Sequence, residues 1–196
     1  MAKARPIPGI GEDDPFALAA AEIVAMRAAE LGEQSADVLD LDDIERVHDM
    51  RVATRRLRAA LEVFEPCFPK RRFKEVLREV KALADALGER RDRDVTIAAL
   101  DVYETALGAQ GRRGVRSLVE RLRVEQIEAN IALAPYVADD RVAALGERLG
   151  DLVAAARAHA VAAEVEAAEA AAPEPETDPP TEAAAAAADA NGGQPS

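Results

Sequence analysis

Between residues 70 and 172 the chain holds one proline, Pro135, whereas five of its eleven prolines precede residue 70 and four crowd between 173 and 180. Such a stretch can run as long helices, because proline removes an i to i−4 hydrogen bond and clashes with the preceding turn. The composition points the same way: 49% of the 196 residues are hydrophobic, yet 3% are aromatic and none is Trp. Strands favour aromatic and β-branched side chains, so a β-sandwich or barrel is excluded and an all-α fold is expected. The length is enough for one domain with a real core.

Apolar periodicity predicts an antiparallel helical bundle of about six helices, at 15–33, 42–64, 69–87, 91–107, 111–134 and 139–170. Gly32, Gly88 and Gly108 stand where helix C-termini are expected. Short connections make consecutive helices antiparallel. Asp14 and the acids from Asp40 to Asp43 suit N-caps and first turns. Residues 1–14 read as a flexible N-terminus, 15–171 as the helical domain, and 172–196 as a disordered acidic tail. That last segment mixes Pro, Ala, Gly and acids without periodic large apolar residues and cannot repay its ordering entropy.

The lone Cys67, in a turn bracketed by Pro66 and Pro69, has no disulfide partner and reads as a semi-buried thiol. There is no apolar run behind the N-terminal basic residues, as a signal peptide needs, and none approaching the ~18 residues of a membrane helix. A cytoplasmic protein with no membrane contact is expected.

Net charge is −12, which on average repels polyanions. The average hides segregation. Residues 1–45 carry 3 basic and 11 acidic side chains, 46–93 carry 14 and 8, 94–159 carry 8 and 10, and 160–196 carry 0 and 8. The basic centre is organised. With His48 at zero on a 100° helical wheel, Arg51, Arg55 and Arg58 fall at about 280–340°, opposite Met50, Ala53, Leu57, Ala60, Leu61 and Phe64. Arg56 lies to the other side. On the next helix, with Arg71 at zero, Lys74, Arg78 and Lys81 fall at about 280–340°, and Phe73, Val76, Leu77, Val80, Leu83, Ala84 and Leu87 fill the opposite arc. Packed side by side, the two rows are expected to border one groove, with Arg90, Arg91 and Arg93 adding cations in the turn that follows.

Charge rows are usually solvated faces laced with ion pairs. The row on the first of these helices contains no acid, and planar arginine forks suit phosphate oxygens bidentately. Polyanion binding is therefore the reading of the pattern itself, and His48 would add a cation when protonated.

His48-Asp-Met-Arg51-Val-Ala-Thr-Arg55-Arg56-Leu-Arg58 resembles the hallmark of the CHAD family, the conserved histidine α-helical domain. Leu87-Gly88-Glu-Arg-Arg91-Asp92-Arg-Asp94-Val95 resembles its second signature. The resemblance covers roughly residues 15–155. It implies an all-helical fold of two pseudo-symmetric bundles lined by basic residues, and non-catalytic binding of inorganic polyphosphate, with location at polyphosphate granules. The chain departs from the family in lacking a second His-x-x-Arg helix, since His159 is followed by Ala162 and Ala163. A shortened member with an open basic face, or one completed by a second copy in a homodimer, is expected. Carried over residue by residue, the phosphate ligands are His48, Arg51, Arg55 and Arg58, then Arg56, Arg71, Lys74, Arg78 and Lys81, with Arg91 from the second signature. Asp92 and Asp94 are expected to orient arginines or cap the helix that follows.

Other chemistries fail on inventory. Glu45 and His48 have di-iron spacing, but His159 has Ala156 where the second Glu is needed, and Arg51 and Arg55 would repel a cation. No Walker loop, GxGxxG or zinc spacing occurs. No enzyme activity, cofactor or metal is expected. The alternatives are nucleic-acid backbone binding, for which the rows lack interleaved aromatics, and a purely structural or adaptor bundle.

Overall fold

The computed structural model describes residues 5–11 and 14–170, which form five α-helices and no strand. They are α1 (Phe16–Glu33), α2 (Ile44–Val63), α3 (Lys70–Glu104), α4 (Ala109–Val137) and α5 (Asp139–Ala170), with a 3-10 turn at Glu65–Cys67 between α2 and α3. The all-α expectation holds. The expected tail, 172–196, lies outside the described residues.

The helix count is corrected from about six to five. The helices expected at 69–87 and 91–107 are one 35-residue helix, and Gly88 sits inside it rather than at an end. An interior glycine costs about 1 kcal/mol relative to alanine, which tertiary packing outweighs. The Arg90–Arg93 segment is accordingly helix, not turn, and Asp92 and Asp94 cap nothing. Helix α4 also runs past its expected end through Pro135 to Val137, and α5 starts after Ala138 alone. Gly108 is the N-cap residue of α4. Of the expected acidic caps, Asp43 accepts from the Glu45 N–H at 3.2 Å, whereas α1 begins after Pro15 with no side-chain cap.

The core follows the wheels. Met50, Ala53, Leu57 and Leu61 of α2 and Phe73, Val76, Val80, Leu83 and Leu87 of α3 are buried, with Ala20, Ala21 and Val24 of α1, Leu133 and Val137 of α4, and Leu145, Leu149, Leu152 and Ala156 of α5. Small residues on α1 allow close helix approach. The Phe16 and Phe64 rings, 5.2 Å apart, set the start of α1 against the end of α2. The α2 and α3 helices are antiparallel: Glu62 meets Lys81 at one level, and Ile44 and Glu45 meet Arg91 at the other.

Beyond Leu87, α3 leaves this core and packs on α4 as an antiparallel pair, tied by Gln126 to Asp94 (2.6 Å), Arg116 to Glu104 (2.7 Å) and Arg123 to Asp101 (3.8 Å). At the opposite side, Arg157 of α5 reaches Glu22 of α1 (2.8 Å), and Arg141 and Arg148 converge on Glu79 of α3. Residue 5 is docked on α1: its N–H donates to Glu30 (2.8 Å) and its guanidinium pairs with Glu33. Burial alone would raise the Glu30 carboxyl, but the Arg5 N–H, the Arg27 guanidinium and the Arg56 charge outweigh it and hold the group below the usual carboxylate range. Cys67 is half-buried, and burial pushes its thiol up.

Candidate functional site

One groove of about 530 Å³ lies between α2 and α3, lined by Arg51, Arg55 and Arg58 on one wall and by Ala84, Asp85, Gly88, Glu89 and Asp92 of α3. The three arginines come together because residues 51, 55 and 58 share one helical face and span about 10 Å of axis. The opposite face of α2 is fixed in the core by Met50, Leu57 and Leu61, so the row cannot rotate away. Arg51 and Arg55 have no acid partner among the described residues, and being four residues apart they repel one another. Arg58 bonds Glu62 at 3.0 Å, and Lys81 reaches the same carboxylate oxygen at 3.2 Å. Hydrogen bonds from Arg58 and then Lys81 lower the Glu62 carboxyl.

The second wall differs from the expectation of two facing basic rows. On the α3 wheel the row of Lys74, Arg78 and Lys81 continues one turn later as Asp85, Glu89 and Asp92, at about 320°, 0° and 300°. The groove faces this acidic continuation. Lys74 and Arg78 are exposed, without acid partners among the described residues, and lie nearer the start of α3 on the same row. Arg71 is almost fully exposed and pairs with Glu75 at 3.4 Å. His48 is half-buried one turn before Arg51 and does not line the groove. Arg56 is half-buried and acts electrostatically on Glu30 of α1, away from the row.

Arg91 has a different job from its neighbours. Its side chain is 16% exposed, donates to the Ile44 carbonyl at 3.0 Å and lies 3.4 Å from Glu45. It fastens the first turn of α2 to α3. Arg90, expected among the cations of a turn, is instead interior. That guanidinium and the Asp94 carboxylate are fully buried and paired with each other, and the Gln126 amide donates to Asp94. The signal was available: carried through Gly88, the α3 wheel puts Arg90, Asp94 and Arg91 at about 100°, 140° and 200°, at or inside the apolar arc. Asp94 thus orients an arginine, as expected, but a buried one.

Gly88 forms part of the groove floor. A Cβ built there would approach the Arg51 Nε no closer than 4.0 Å, an ordinary contact. The Gly88→Ala variant should therefore be more stable by up to about 1 kcal/mol, raising the melting temperature by about 2–4 °C. A thermal melt checks it.

A second cleft, of about 250 Å³, lies between α3 and α4, lined by Asp101, Glu104, Arg116, Val119, Glu120 and Arg123. Four of its five charged side chains are already matched in ion pairs, Arg116 with Glu104 and Arg123 with Asp101. Glu45 is engaged by Arg91, His159 is exposed, and no group of three or more His, Cys, Asp or Glu side chains that could hold a metal occurs among the described residues. No described helix is long and apolar enough to cross a membrane.

No curated protein and no solved structure matches the chain. The family model of the CHAD domain does, over residues 22–190, from within α1 to beyond the last described residue. The match takes in most of the chain and both segments that carry the groove, Arg51 to Arg58 and Ala84 to Asp92, and on it the chain belongs to the CHAD domain family.

Proposed function

We propose that the chain binds inorganic polyphosphate, without catalysis, along the arginine wall of the α2–α3 groove. The observation that carries the reading is the Arg51, Arg55, Arg58 row: three guanidiniums on one rigid helical face, two of them without acid partners among the described residues. The guanidiniums of such a row repel one another, the facing carboxylates form no ion pair with them among the described residues, and guanidinium forks bond phosphate oxygens in charge-assisted pairs. Lys74 and Arg78 extend the track along α3 for a longer chain. Membership of the CHAD family supports the same ligand.

A nucleic-acid strand could use the same phosphate contacts. The groove offers it no aromatic side chain on which a base would stack.

The test is a salt-titrated binding measurement with long-chain polyphosphate and a single-stranded oligonucleotide of matched charge. Polyphosphate should bind at least about tenfold more tightly, with log affinity falling linearly in log salt concentration as counterions are released. Equal affinities would overturn the assignment.

A further inference from the structure

We propose that Asp85, Glu89 and Asp92 are specificity-determining residues: as the second wall of the groove they admit a thin phosphate chain and disfavour a sugar-phosphate strand. The inference deepens the polyphosphate reading and rests on it.

The two walls of the groove carry opposite charge, three arginines against three carboxylates. No ion pair crosses between them among the described residues. The α3–α4 cleft shows what neutralisation looks like in this molecule, where Arg116 meets Glu104 at 2.7 Å. In the α2–α3 groove no such pair forms among the described residues, and the small Ala84 and Gly88 line the space along with the carboxylates.

The lined groove is neutral in sum, so it exerts little general attraction on an anion outside it. Inside, fields are screened over about one Debye length, roughly 8 Å at physiological ionic strength, so a ligand feels most strongly the wall it touches. What gains is a ligand that touches the guanidiniums directly while keeping clear of the carboxylates. A polyphosphate chain has no substituents beyond its own oxygens, so it can lie against α2 over the small floor residues. A nucleotide strand carries a sugar and a base on every phosphate. That bulk has to be accommodated in the same groove, which brings either phosphate or uncompensated apolar surface against hydrated carboxylates.

The experiment compares the unmodified chain with the Asp85→Asn, Glu89→Gln, Asp92→Asn triple variant. These are near-isosteric changes at exposed positions. The probes are long-chain polyphosphate and oligothymidylate, at one salt concentration, with EDTA or with Mg²⁺. Oligothymidylate affinity should rise about tenfold or more, and polyphosphate affinity less than about threefold, so the preference collapses. An equal rise for both would reduce the carboxylates to general repulsion and overturn the inference. So would a fall in oligothymidylate binding, which would make them contacts to the strand. A fall in polyphosphate binding seen only with Mg²⁺ would also overturn it, making the carboxylates holders of a cation. Each of these outcomes leaves polyphosphate binding standing, whereas no polyphosphate binding by the unmodified chain overturns both readings.

Discussion

The Arg51→Ala, Arg55→Ala, Arg58→Ala triple variant should lose polyphosphate affinity by more than about a hundredfold while keeping its fold. A hydrogen bond to a charged group is worth about 1.5–3 kcal/mol, and three rarely add fully, so a loss of about 3–5 kcal/mol is expected. The slope of log affinity against log salt should fall by about two to three, one for each phosphate contact removed. Stability should hardly change. The three side chains project from the face opposite the core, alanine is the best helix former, and removing Arg51 and Arg55 relieves a like-charge pair. Glu62 retains Lys81 when Arg58 is gone. Lysine at the three positions separates charge from geometry: it keeps the cations but loses the planar fork, so affinity should fall between the two extremes. Undiminished polyphosphate binding by the alanine variant would move the site off this groove, and a large drop in melting temperature would show that the arginines serve the fold.

Much of this arrangement is legible in the chain, because the same period that marks a helix also sorts its faces. On α2 the wheel separates Met50, Leu57 and Leu61 from the arginine row, and burial follows that division. Three features resist. Gly88 reads as a helix end because glycine often is one, yet its cost inside a helix is only about 1 kcal/mol, less than the packing of α3 on both neighbours recovers. Asp85 stands on the basic row before that point as its one acid, but stopping the wheel at Gly88 hid the continuation into Glu89 and Asp92, and with it the sign of the second wall. In the Arg90–Arg93 run, composition alone says "cationic", whereas position assigns Arg90 to the interior, Arg91 to the start of α2 and Arg93 toward Glu125 at 3.7 Å. The wheel carried through Gly88 turns Arg90 and Arg91 inward, but which partner each meets is set by Asp94 on the next turn and by α2 and α4.

The Asp94→Ala variant should be the most damaging single change to the fold, at about 3–5 kcal/mol, because it strands the fully buried Arg90 guanidinium without its carboxylate. For a chain of this size that corresponds to a melting temperature lower by about 6–20 °C. The size of the effect does not mean that the pair is strongly stabilising. Arg90 Nε and one terminal nitrogen, and one Asp94 oxygen, have no hydrogen-bond partner among the described residues even with the pair intact. Desolvation is therefore only partly offset by the Arg90–Asp94 contact and the Gln126 amide. Replacing both residues with apolar ones of similar bulk, Arg90→Met with Asp94→Leu, should consequently cost far less than Asp94→Ala alone and come out neutral or stabilising by about 1–4 kcal/mol. The pair's value on this account lies in register, since Asp94 accepts from Gln126 at the level where α3 leaves the core for α4. Chemical denaturation of the single and double variants tests it. A double variant as unstable as the single one would mean that the ion pair contributes net stability, and that α3 cannot be held on α4 by packing alone.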